Sequence, residues 1–95
     1  MTENTAPIRQ ALRDALPGAM TADDTPVRNA IRSALAAIED AETPLAELDE
    51  DHSLEIVSAE RDERLAAAAE YRARGEADRA AELESEAAAL DAFLC

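Results

Sequence analysis

One glycine constrains this chain more than any other residue. Gly75 stands between two long stretches, residues 48–74 and 76–95, that hold no second glycine and no proline. In both, alanines and aliphatics recur at spacings of three and four, the period of an α-helix with one buried face. Glycine enters the left-handed region without a Cβ clash, so it suits the residue that ends a helix. Gly75 is therefore expected at the turn of a long antiparallel αα-hairpin.

Each arm carries its own packing signal. Ala80, Leu83, Ala87, Leu90 and Leu94 form an a/d seam in the second arm, with Phe93 at the apolar end. The first arm is expected to run from a cap at Asp49 or Asp51 to Arg74, roughly 35 to 40 Å. Its expected buried stripe is Leu54, Val57, Arg61, Leu65, Ala68 and Arg72, flanked by Ala69 and Tyr71, so Leu83 and Leu90 should meet Leu54, Val57 and Leu65. Glu60 with Arg64, and Glu70 with Arg74, are spaced as i,i+4 ion pairs.

Two shorter helices precede the hairpin. Thr5 can cap the first, Pro7 sits in its opening turn, and Ile8, Ala11, Leu12 and Ala15 share a face that leaves Arg9 and Arg13 outside. Pro17 followed by Gly18 is expected to end or kink it. Thr25-Pro26 opens the second helix behind Asp23 and Asp24. Val27, Ala30, Ile31, Ala34, Leu35, Ile38 and Ala41 keep its stripe until Thr43-Pro44 closes it. An acidic linker over residues 42–50 follows, with Leu45 and Leu48 to pin it.

Composition bears on whether such a chain folds. Only 17 of 95 residues are Leu, Ile, Val or Phe and the net charge is −13, a balance that by itself signals disorder. Ala, Glu, Leu and Arg nevertheless total 56 residues, with no lysine, which is the composition of long helices. The expectation is a single all-α domain over residues 1–95: N-terminal helices in 1–44, the hairpin in 45–95.

The same inventory narrows the chemistry. No apolar run approaches the ~18 residues of a membrane span, and the N-terminus lacks a basic region before an apolar one, so a cytoplasmic protein is expected. A lone cysteine, Cys95, excludes an intrachain disulfide and a cysteine-based zinc site. His52 lies among Asp49, Glu50, Asp51 and Glu55, but acids at a helix start already serve its dipole and cap. The serines have no second histidine and no glycine-flanked elbow for a nucleophile triad. Glu82, Glu84 and Glu86 are read as a solvated face. No catalytic residue, metal or cofactor is expected.

Five arginines carry the remaining signal: Arg61, Arg64, Arg72, Arg74 and Arg79 could contact phosphates, although each has acidic neighbours. Residues 45–95 contain 15 acids against 5 arginines, a local charge of −10, so the general field repels a phosphate backbone.

Several of these residues also carry a family resemblance. The start LDED at 48–51, Glu60, Arg64, Ala67, the pair Tyr71-Arg72, Gly75 with Asp78 and Ala80, then Glu84, Glu86, Leu90 and the ending AFL resemble the GatB/YqeY family. So does IRSALAAIEDAE at 31–42. These are small helical proteins similar to the tail domain of the B subunit of glutamine-dependent tRNA amidotransferase. The resemblance implies an all-α module that helps present tRNA to amide chemistry carried by other domains, with Arg61, Arg64, Tyr71 and Arg72 as candidate binding residues and Gly75 as the structural turn. Pro17-Gly18 interrupts what is usually a continuous first helix, and basic residues of relatives are replaced here by alanine and acids. The expected function is a non-catalytic accessory or binding module linked to tRNA-dependent amidotransfer. The alternative is a structural or oligomerisation protein working through helix–helix contacts with a protein partner or a second copy, with no tRNA role.

Overall fold

The computed structural model describes residues 7–42 and 48–94. Four helices account for nearly all of them: α1 (Pro7–Thr21), α2 (Thr25–Ala41), α3 (Glu50–Ala73) and α4 (Ala77–Leu94). The most extensive packing is α3 on α4; α2 lies over α4, and α1 packs on α2. This is the expected all-α architecture with a C-terminal antiparallel hairpin. Thr5, Thr43-Pro44, Leu45 and Cys95 lie outside the described residues.

The hairpin turn forms as the lone glycine requires. Gly75 has φ +81°, the Gly75 N–H donates to the Arg72 carbonyl at 3.0 Å, and the Glu76 N–H donates to the Tyr71 carbonyl at 2.9 Å. Those two bonds define a Schellman motif, which satisfies carbonyls that a helix end leaves without partners. Helix α4 then starts at the next residue but one.

The same motif recurs where it was not expected. Helix α1 does not stop at Pro17-Gly18 but continues to Thr21, with Pro17 inside it. Its end is set at Asp23, which adopts φ 57°; the Asp23 N–H donates to the Met20 carbonyl at 3.2 Å and the Asp24 N–H to the Ala19 carbonyl at 3.1 Å. Pro17 removes one backbone bond on an exposed face, whereas stopping there would withdraw the buried Ala19 from the core. Packing outweighs the local preference. Asp24 then caps α2, its Oδ1 accepting from the Val27 N–H at 3.4 Å, and Asp49 caps α3 by accepting from the His52 N–H at 2.9 Å.

The main core gathers Ile8, Leu12, Ala30, Ile31, Ala34, Ile38, Val57 and Leu90, with Leu48, Leu54 and Phe93 packed at its edge. A smaller cluster near the hairpin tip holds Ala68, Ala80 and Leu83 against Ala67 and Tyr71. The α4 seam therefore follows the sequence reading, but Leu90 meets Val57 in the main core while Leu83 lies in the tip cluster.

The α3 stripe is displaced by one residue. Ser53 and Val57 are fully buried, Glu60, Arg64, Ala67 and Tyr71 are half-buried, and they repeat at alternating spacings of four and three. Leu65, expected inside, is 47% exposed and Arg72 is exposed. Val57 belongs to both stripes, and Ala68 of the expected one is also buried. The Ser53 hydroxyl has no hydrogen-bond partner among the described residues.

Ionic contacts tie α1 to the start of the hairpin. Arg9, expected outside, is 2% exposed and forms an ion pair with Glu42 just past α2, while Ala11 is exposed. The same Glu42 carboxylate accepts from the Leu48 N–H at 3.0 Å. Glu50, in the first turn of α3, accepts from the Ile8 N–H at 3.1 Å and so serves the start of α1. A buried arginine survives here because a carboxylate comes with it.

Candidate functional site

The candidate residues Arg61, Arg64, Tyr71 and Arg72 all lie on α3, along the arm that packs against α4. Being three, seven and one residue apart, they cannot converge on one point of a straight helix. Each instead meets its own neighbour.

Arg61 donates from Nη1 to Asp91 at 2.7 Å across the hairpin and from Nε to Asp62 at 3.1 Å. The bond to Asp91, then that to Asp62, raises its already high pKa. Arg72 donates to Glu84 at 2.7 Å, again across the hairpin. Arg79 pairs with Glu82 at 2.9 Å and Arg74 lies 3.9 Å from both Glu70 and Glu76. Tyr71 packs its ring under two guanidinium groups, Arg74 at 5.1 Å and Arg79 at 5.9 Å from the centroid, an attraction between cation and ring face.

Arg64 is the most enclosed of the set. Its Nε donates to Glu86 at 2.8 Å, and its Nη1 donates to the Glu60 carboxylate at 3.0 Å and the Glu60 carbonyl at 3.1 Å. The side chains of Arg64 and Glu86 are 12% and 9% exposed. Glu86, read from sequence as solvent-facing, is thus buried, because it lies beside the α4 seam where Arg64 reaches it. The i,i+4 spacing of Glu60 and Arg64 was a visible signal for half of this triad. Glu86 carried none, since acids fill α4.

The chemical consequence is that every hairpin arginine has a carboxylate within 4 Å. A phosphate would meet one of these carboxylates at each arginine, inside a segment that carries −10 overall. Tyr71 already has cations against its ring, which competes with stacking on a base.

His52, the one histidine of the chain, lies in the first turn of α3. His52 Nδ1 lies 2.8 Å from Asp49 Oδ1; the Asp49 hydrogen bond, then its charge, raises the His52 pKa above 6.5. The His52 backbone N–H, then its ring, lowers the Asp49 pKa below 3.8. This pair caps a helix at the surface. Among the described residues no group of three or more His, Cys, Asp or Glu side chains is placed to hold a metal ion. No helix among them is long and apolar enough to cross a membrane.

One concave feature adjoins the candidate arginines. A shallow groove between α3 and α4 is lined by Arg61, Asp62, Leu65, Glu84, Ala88 and Asp91, among others. Sequence reasoning missed it because Leu65 was placed on the opposite, buried side.

Comparisons with curated proteins and with solved structures return no match. A family model described as Yqey-like protein matches residues 9–95, which takes in α2, the whole hairpin and all of α1 beyond its first two residues. The chain belongs to the YqeY family of Yqey-like proteins.

Proposed function

We propose that this chain is a non-catalytic helical binding module whose link to tRNA-dependent amidotransfer, implied by its resemblance to the amidotransferase tail domain, runs through a protein partner and not through its own grip on tRNA. One observation carries this reading: each of the five hairpin arginines has a carboxylate of the hairpin itself within 4 Å. Arg61, Arg64 and Arg72 bond across the hairpin, and Arg74 and Arg79, both exposed, lie beside acids close in sequence. On this reading Arg64 and Tyr71 hold the hairpin together, while Arg61 and Arg72 lie nearer the surface that a partner meets.

The reading without a tRNA role, a structural protein acting through helix contacts, draws on the exposure of Leu65. A fluorescence titration with total tRNA separates direct tRNA contact from both. At physiological salt no binding is expected below about 10 µM, within the range of merely non-specific affinity. Tight binding that falls steeply with salt and weakens in Arg61→Ala and Arg72→Ala would overturn the proposal.

A further inference from the structure

We infer that the groove between α3 and α4 is a docking site for a basic amphipathic helix of a partner protein, with Leu65 as its apolar anchor. The inference rests on the protein-partner reading above and adds to it the place and the chemistry of the partner.

Shape comes first. The lining spans Arg61 to Leu65 on α3 and Glu84 to Asp91 on α4, which is about 10 Å along α4, or two helical turns. A furrow between two antiparallel helices accepts a third helix along its length, read through anchors at i, i+3 and i+4. Ala88 is exposed and small, so a neighbouring backbone can come close. Leu65 is 47% exposed beside it, one of two large hydrophobics so exposed among the described residues. The α3 contact stripe passes through Glu60 and Arg64, leaving Leu65 turned away from α4's seam.

Charge then selects the occupant. Asp62 and Asp91 share the single Arg61 and Glu84 is bonded to Arg72, so three acids meet two arginines and the rim keeps a net charge of −1. A second copy of the chain would bring another −13, and a nucleic acid would bring phosphates. A helix with leucine or isoleucine on one face and arginine or lysine flanking it matches both the apolar floor and the acidic rim.

The test uses the full chain, 15N-labelled, and a synthetic helical peptide of about 14 residues, roughly four turns, with leucines at i, i+3, i+4 and i+7 between lysines and arginines. A scrambled peptide of the same composition controls for charge alone. Saturable binding is expected for the amphipathic peptide, with amide shifts centred on Leu65, Ala88 and Asp91. Leu65→Ala should weaken it by about tenfold, and Ala88→Arg, which fills and recharges the groove from an exposed position, should abolish it. Equal binding of the scrambled peptide, shifts elsewhere on the surface, or insensitivity to both substitutions would overturn the inference. So would a dimer of the chain alone, seen by sedimentation and dissolved by Ala88→Arg, since that assigns the groove to a second copy. Parallel tRNA titrations keep the two failures apart: no peptide site and no tRNA binding removes only the groove, whereas arginine-dependent tRNA binding removes the protein-partner reading itself.

Discussion

Arg64 on α3 donates to Glu86 on α4 at 2.8 Å between two apolar clusters, Val57 with Leu90 on one side and Ala68 with Leu83 on the other. With Glu60 on the preceding turn, this pair makes an enclosed ionic layer inside a hairpin whose buried contacts are otherwise mostly small and aliphatic. Alanine seams slide easily because their surfaces differ little from turn to turn. A charged layer satisfied only in one register resists that sliding, as a single polar position does in a coiled coil.

The two glycines should respond oppositely to the same substitution. Gly75 has φ +81° and a Cβ there would meet nothing within 4 Å, so Gly75→Ala costs conformational strain alone, about 1 kcal/mol or more. Gly75→Asn should cost less, since asparagine tolerates the left-handed region. Gly18 lies inside α1, also with open space at its Cβ, and Gly18→Ala should stabilise by about 0.5 to 1 kcal/mol. Thermal melts check both; a lower midpoint for Gly18→Ala would return the end of α1 to Pro17-Gly18.

Leu90 and Leu65 test which face of α3 is buried. Leu90 is fully buried against Val57, so Leu90→Ala should cost about 2 to 5 kcal/mol. Leu65→Ala removes a half-exposed side chain and should stay within about 0.5 kcal/mol of the parent protein. Urea unfolding that showed equal losses would restore the stripe through Leu54, Val57 and Leu65.

What the sequence disclosed divides along that face. The α4 seam and the turn at Gly75 were legible because one is made of leucines at regular spacing and the other needs a residue without Cβ. The α3 stripe was misplaced because Leu65 outweighs Glu60 and Arg64 on any hydropathy pattern, while their mutual pairing with Glu86 exists only after the arms meet. Arg9 was misplaced for the same reason, its partner Glu42 being 33 residues away. Pro17 misled through a local rule that the buried Ala19 overrides. Of the candidate site, the arginines could be named but their carboxylates could not, since nearly every residue of the hairpin has an acid close in sequence.

The cap of α3 makes a pH-dependent contribution. His52 has a folded pKa raised above 6.5 by its hydrogen bond to Asp49, so its share of stability is full below pH 6.5 and is lost as pH rises through the raised value. Asp49 has a folded pKa lowered below 3.8, so its share is present above that pH and is lost as pH falls through the lowered value. The cap is therefore strongest between the two. NMR titration of the imidazole should give a midpoint above 6.5 that falls towards it in Asp49→Asn, and an unchanged midpoint would remove the interaction.

The most direct measurement is a double-mutant cycle on Arg64 and Glu86, because it asks whether the hairpin's arginines serve the fold. Arg64→Met leaves the enclosed Glu86 without its partner and should cost about 2 to 4 kcal/mol in urea unfolding; Glu86→Leu should cost less, since Arg64 keeps Glu60. The double variant should lose less than the sum of the two single ones, with a coupling of about 1 to 3 kcal/mol. Losses that simply add, with coupling below about 0.3 kcal/mol, would mean that Arg64 is not held by Glu86 and would contradict an ionic layer that fixes the hairpin.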